Sequence, residues 1–199
     1  MNSDAFAHDR FMVEQRGFIH DVYTIFPLGP GDVTAGDPVA YVAEFGAMPT
    51  LDLRFFSDRD RTVELFRLRA RARIGRFTRM FDLTGADGTC LAVFERPFGR
   101  WLFRTTWRVL EADDRGAEMC VARERKVGRA VLRRLVRALR IPIPYDFDIL
   151  LDGRRVGGVD RKRSLRDRYV VDVAQDADRR IDRRVAAALA VTLDAGQRR

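Results

Sequence analysis

Hydrophobic and polar residues alternate along much of this chain with a period of two. In 62–71, for example, the apolar Leu68 and Ala70 alternate with Arg67, Arg69 and Arg71. Successive side chains of a β-strand point to opposite faces, so this pattern predicts a strand that is buried on one side only.

Similar short runs, rich in β-branched and aromatic residues, recur between turn signals such as Asp87-Gly88 and Asp152-Gly153. The segment 47–60 is ambiguous between a loop and an edge strand. The count of about eleven or twelve closely spaced strands favours a mainly β fold, either a closed antiparallel barrel or a sandwich. The other predicted strands are 11–16, 20–26, 38–45, 77–83, 89–96, 105–111, 117–125, 147–151, 155–163 and 169–173.

The pattern changes near the C-terminus, where 179–194 predicts a helix. Asp176 or Asp178 is placed to cap its start and Gly196 to end it. Its central part, 185–193, is apolar on every face, which indicates burial on all sides. A barrel of about twelve strands is too wide for its own side chains to fill, so this alanine-rich helix is predicted to fill it.

A second helix is predicted over 127–140, before Pro142. Its apolar side includes Val131, Leu135 and Leu139, which would dock on the barrel. The arginines of the other side would form an ordinary solvated face, or contact an anionic membrane or a nucleic acid; no aromatic residues lie among them to stack on bases. They are Arg129, Arg133, Arg137 and Arg140.

Charge is concentrated in the same region. The whole chain carries a formal net charge of +8, and 123–140 holds eight basic residues against the single acid Glu124, which accounts for +7. A partner that prefers positive charge would therefore meet one segment of the chain. We expect that partner to be an anionic lipid or membrane surface, or an acidic protein, more readily than a nucleic acid.

Composition limits the domain organisation and the compartment. With 199 residues, 46% of them hydrophobic, the chain can form one large domain, predicted over 11–195, with a flexible N-terminal tail (1–10) and a short C-terminal tail (196–199). Cys90 and Cys120 are too few for a disulfide framework and are expected to be free and buried. No transmembrane span or secretory signal is recognised, so we expect a cytoplasmic monomer, peripheral at the membrane if it binds lipid.

The order of these elements resembles the tubby C-terminal-like superfamily, in particular its LURP-one-related and phospholipid scramblase families. The resemblance runs over about 11–194. It rests on Phe11-x-Val13-x-Gln15; on Phe81-x-Leu83 with Gly88, Leu91, Phe94 and Arg96; on Trp107-x-Val109 before Gly116; and on Asp167-x-Tyr169-Val170-Val171-x-Val173, Asp178 and Leu193-Asp194. It implies a twelve-stranded barrel around a C-terminal helix.

The chain departs from the scramblases in several respects. It lacks their proline-rich N-terminal region and their cysteine cluster for acylation. The acids Asp172, Asp176, Asp178 and Asp182 do not form a calcium-loop pattern. Tubby proteins bind phosphoinositides through basic residues, but none of those positions matches this chain one for one. The resemblance in function is therefore an analogy at the level of the superfamily, not of individual residues.

No pattern of catalytic residues is recognised, and no cofactor or metal site is expected. His8 and His20 are the only histidines and have no triad-like context. Asp146 and Asp148 would share one face of a strand, where pairing with arginine is a simpler interpretation than a glycosidase-like acid pair. The sequence therefore predicts a non-enzymatic binding domain; the alternative is a structural or protein-interaction domain, and phospholipid scrambling is supported weakly.

Overall fold

A computed structural model describes residues 3–16, 22–45, 50–71, 78–97, 105–112, 116–125, 146–162 and 168–197. The predicted basic helix at 127–140 and His20 lie outside these residues. The strands are β1 (Arg10–Arg16), β2 (Val22–Pro27), β3 (Ala40–Phe45), β4 (Asp52–Phe56), β5 (Glu64–Ala70), β6 (Thr78–Gly85), β7 (Cys90–Pro97), β8 (Thr106–Leu110), β9 (Glu118–Glu124), β10 (Asp146–Leu151), β11 (Arg154–Lys162) and β12 (Arg168–Asp172). One helix, α1 (Arg183–Gln197), follows them.

The twelve strands form a closed antiparallel barrel in which each strand pairs with its neighbours along the chain. The barrel closes where β1 pairs with β12, with Phe11 opposite Val171 and Val13 opposite Tyr169. This confirms the predicted fold. The ambiguous segment 47–60 contains β4, whose alternating Leu53 and Phe55 are buried in the barrel.

Because the strands are antiparallel, their connections alternate between two ends of the barrel. We call the end at which α1 begins the base, and the end toward which it runs the rim. Odd-numbered strands run from base to rim. At the base, Phe6 is buried against Phe11 and Phe66, with ring centroids 5.7 and 5.4 Å apart, and the Arg179 side chain donates a hydrogen bond to the carbonyl of Ala7. No sequence pattern pointed to this packing of the segment assigned to a tail.

Helix α1 fills the barrel, as its composition predicted. Every side chain from Val185 to Leu193 is buried, and most of them show no exposure at all. Alanines on several sides let the helix lie close to the bulky inward-facing residues of the strands, such as Phe81, Phe94 and Trp107. The core of the protein is thus the contact layer between α1 and the inner wall.

The ends of α1 differ from the sequence prediction. Arg179 has a φ of 50°, which a right-handed helix cannot contain, so 176–182 is not helical and α1 begins only at Arg183. The N-cap is Asp182, whose carboxylate accepts a hydrogen bond of 2.8 Å from the Arg184 amide, and neither Asp176 nor Asp178 caps α1. At the other end, α1 continues to Gln197 and includes Gly196, so Gly196 does not end it.

Two glycines allow close packing of β11 on its neighbours. A Cβ atom at Gly157 would lie 2.1 Å from the carbonyl oxygen of Asp172, and one at Gly158 would lie 2.8 Å from that of Phe147. The register between β10 and β11 also shifts next to this pair, after Ile149. The two glycines thus lie at an irregularity of β11 where a side chain would not fit.

We expect Gly157→Ala to lower the free energy of unfolding by about 2 kcal/mol, because the backbone of β12 cannot move away without breaking its pairing with β1. Chemical denaturation would measure the loss. Gly29→Ala is the matched control: its Cβ would meet neighbours at an ordinary 3.7 Å and its φ is −86°. Equal stability of the two variants would contradict the close approach.

Candidate anion-binding face

The polar contacts inside the barrel hold α1 in place. Asp194, near the end of α1, accepts hydrogen bonds from the hydroxyls of Tyr23 on β2, at 2.8 Å, and of Tyr169 on β12. All three side chains are buried. Because β2 and β12 flank β1, these bonds tie α1 to the strands that close the barrel.

A second polar cluster fixes the start of α1 at the base. The guanidinium of Arg183, 2% exposed, donates to Asp176 at 2.6 Å and to Asp9 at 2.6 and 2.8 Å. Asp176 also accepts from the backbone amides of Arg180 and Ile181. Burial acts to raise the pKa of Asp176, but these amide hydrogen bonds and Arg183 outweigh it and hold the pKa below its usual value of 3.8. The interior clusters are thus structural, and the outer wall is the surface that remains for a partner.

On the outer wall of β3 to β6, directly paired residues of neighbouring strands form two rows of side chains. One row runs from Phe45 to Asp52 and Arg69 and ends at Asp82. The row beside it contains Arg54 and Arg67, which pair directly across β4 and β5. Arg71 follows β5 toward the rim. We call Arg54, Arg67, Arg69 and Arg71 the arginine face.

Two of these arginines are held by aspartates. Arg67 donates from Nε to Asp52 at 2.6 Å and makes a second contact with the same carboxylate. Arg71 donates to both oxygens of Asp82, at 2.7 and 2.8 Å. Each aspartate raises the pKa of its arginine further above the usual value, so both guanidinium groups are fixed as cations.

Arg54 and Arg69 remain available for another anion. Arg69 is exposed and, among the described residues, has no hydrogen-bond or ion-pair partner. Arg54 reaches Asp52 only at 3.4 Å, and its guanidinium carbon lies 4.7 Å from the centre of the Phe45 ring. Its Nε is buried and has no hydrogen-bond acceptor among the described residues. Two of the four cations therefore lack a strong partner.

In several other clusters of the described outer wall, each arginine is held by an acid. On β9 to β11, Arg125 and Arg155 both donate to Asp148 at 2.9 Å, and Arg125 also reaches Asp160 at 2.9 Å. On β8, the single Arg108 bridges two acids, Glu95 and Glu118. Glu14 on β1 is held by Arg168 and Arg16. The arginine face thus differs from these clusters in that two of its arginines, Arg54 and Arg69, lack a strong carboxylate partner.

The predicted lipid-contact residues Arg129, Arg133, Arg137 and Arg140 all lie outside the described residues. Strand β9, which precedes this segment, ends at the rim, and β10, which follows it, begins there. Arg71 extends from β5 toward the same end of the barrel. The arginine face itself was missed. Its signal was present in 62–71, where arginines recur at every second position, but only the barrel shows that Arg54 comes beside them.

The other residues whose types could support catalysis or metal binding, namely aspartate, cysteine and histidine, have surroundings typical of structural or surface residues. Asp148 pairs with arginines, as the simpler interpretation held. Both cysteines are free; Cys120 is buried, and burial raises the pKa of its thiol to about 12, whereas Cys90 is only half-buried. His8 is exposed. Within the described ranges, no group of three or more His, Cys, Asp or Glu side chains is arranged to hold a metal ion.

Comparisons with protein families, with curated proteins and with solved structures gave no match to this chain. Among the described residues, no helix is both long enough and apolar enough to cross a bilayer.

Proposed function

We propose that this protein is a non-enzymatic binding domain that attaches to an anionic phospholipid surface through exposed arginines. The observation that supports it is the arginine face, where Arg54 and Arg69 lack strong partners beside the fixed cations Arg67 and Arg71. Guanidinium groups bind phosphate through paired N–H donors, so a phosphate-bearing surface suits this face.

The structure of the barrel makes such a role physically reasonable. The interior is occupied by α1, so the outer wall offers the surface for a partner. Strands hold their outward side chains at fixed spacing, which lowers the entropy cost of binding. The arginines of the predicted basic helix, Arg129, Arg133, Arg137 and Arg140, would add to the same attraction, since each basic residue near an anionic membrane contributes about 1 kcal/mol.

Vesicle flotation tests the proposal. We expect the wild type to float with phosphatidylserine-rich vesicles and not with pure phosphatidylcholine vesicles. The double variant Arg54→Gln/Arg69→Gln should bind about 30-fold more weakly, because two contributions of about 1 kcal/mol are lost. Arg154→Gln, which removes an exposed arginine from β11, is the matched control and should bind like the wild type. Binding should also weaken as the Debye length falls from about 10 Å at 0.1 M salt to about 3 Å at 1 M.

A second variant separates the two arginine sets. Reversal of Arg129, Arg133, Arg137 and Arg140 to Glu should greatly reduce binding if the basic helix takes part. If only this variant loses binding, the arginine face is not the contact. If neither set matters, or if the protein ignores vesicles but binds an acidic protein, the lipid proposal is wrong and the protein-interaction alternative is favoured.

A further inference from the structure

Three large apolar side chains are prominently exposed among the described residues: Val33, Phe45 and Val63. Val33 and Val63 belong to connections at the base, between β2 and β3 and between β4 and β5. Phe45 is different, because it lies on the outer wall at the last residue of β3, in the same row as Asp52 and Arg69. It is 44% exposed.

The position of Phe45 couples it to the arginine face. Its ring lies 4.7 Å from the guanidinium carbon of Arg54, the arginine whose Nε lacks an acceptor. A cation–π contact of this kind is a weak partner that a phosphate can replace, because a charge-assisted hydrogen bond is stronger. When Arg54 turns toward a phosphate, more of the ring is uncovered beside it.

An exposed ring beside arginines suits one surface in particular. At a bilayer interface, phosphate groups lie next to the ends of acyl chains. A cation can therefore bind phosphate there while an aromatic ring on the same face is buried among the acyl chains. A free phosphate in solution would satisfy only the arginines and leave the ring in water. The pairing of Phe45 with Arg54 therefore points to a bilayer more than to a soluble anion.

We infer that Phe45 enters the membrane interface when the arginine face binds, and that it acts as the apolar anchor of the contact. This inference rests on the proposed function. The contact then has two components: arginine–phosphate attraction, which salt weakens, and burial of the ring, which salt does not weaken. Part of the binding should accordingly persist at high salt and depend on Phe45.

Flotation with phosphatidylserine-rich vesicles tests the anchor directly. We expect Phe45→Ser to bind about tenfold more weakly than the wild type, and to lose the residual binding at high salt. Val63→Ser, which removes an exposed apolar side chain at the base, is the matched control and should bind normally. Both positions are exposed, so both variants should fold; circular dichroism confirms it.

A spectroscopic readout locates the ring. Phe45→Trp should gain tryptophan emission that brominated lipids quench, measured relative to the wild type because Trp101 and Trp107 also fluoresce. Normal vesicle binding by Phe45→Ser, or unquenched emission from vesicle-bound Phe45→Trp, overturns the anchor while leaving the proposed function intact. If the wild type does not bind vesicles, or binds only an acidic protein, the proposed function and the anchor both fail.

Discussion

Leu189→Asp should abolish cooperative folding. Leu189 lies in the middle of α1, is 1% exposed, and is surrounded by the barrel wall. A carboxylate at this position would be buried among apolar side chains with no partner, and the cost exceeds about 5 kcal/mol, which is comparable with the whole stability of a typical domain. Circular dichroism during thermal denaturation would show a broad or absent transition.

The conservative variant Leu189→Met serves as its control. It keeps the apolar character and nearly the volume of the side chain, so it should cost less than about 1.5 kcal/mol. A Leu189→Asp protein that melts cooperatively at the wild-type temperature would mean that α1 does not fill the barrel.

Asp176→Ala should lower the free energy of unfolding by about 3–5 kcal/mol, because it leaves the buried guanidinium of Arg183 without its inner carboxylate. It also removes the acceptor for the amides of Arg180 and Ile181. Urea denaturation at neutral pH would measure the loss. Asp178→Ala, which changes an exposed aspartate two residues away, should cost no more than about 0.5 kcal/mol.

The effect of Asp176 should also depend on pH. Its pKa in the folded protein lies below the usual 3.8, so the stabilisation that it provides is fully present above that value. The stabilisation is lost as the pH falls through the lowered pKa of the folded state. The stability difference between the wild type and Asp176→Ala should therefore be constant near neutral pH and shrink below about pH 4. A difference that stays unchanged into strong acid would exclude an ionised Asp176 in the buried pair.

The strands and the central helix could be predicted because local patterns specify them. Alternation in β5 and the uniformly apolar run in α1 each follow from which faces are buried. The start of α1 was predicted wrongly because three aspartates precede it and each could cap the helix. Which one does so depends on the left-handed conformation of Arg179 and on the ion pair of Arg183 with Asp9. That ion pair joins residues far apart in the chain, which no local pattern reveals.

The arginine face could be predicted only in part. The period of two places Arg67, Arg69 and Arg71 on one side of a strand. Which of them are neutralised depends on Asp52 and Asp82, and these come into position through the pairing of β4 and β6 with β5. The richest run of arginines, at 127–140, is visible in the sequence as charge density, whereas the cross-strand pairing that forms the arginine face is not.

Arginine-selective labelling with phenylglyoxal, read by mass spectrometry with and without phosphatidylserine-rich vesicles, tests the central claim most directly. A contact through the arginine face should protect Arg69 and Arg54 from modification when vesicles are present. Arg154, on the distant strand β11, should react equally in both samples. Equal labelling of Arg69 with and without vesicles, while the protein floats with them, would contradict the account and assign the contact to another part of the chain.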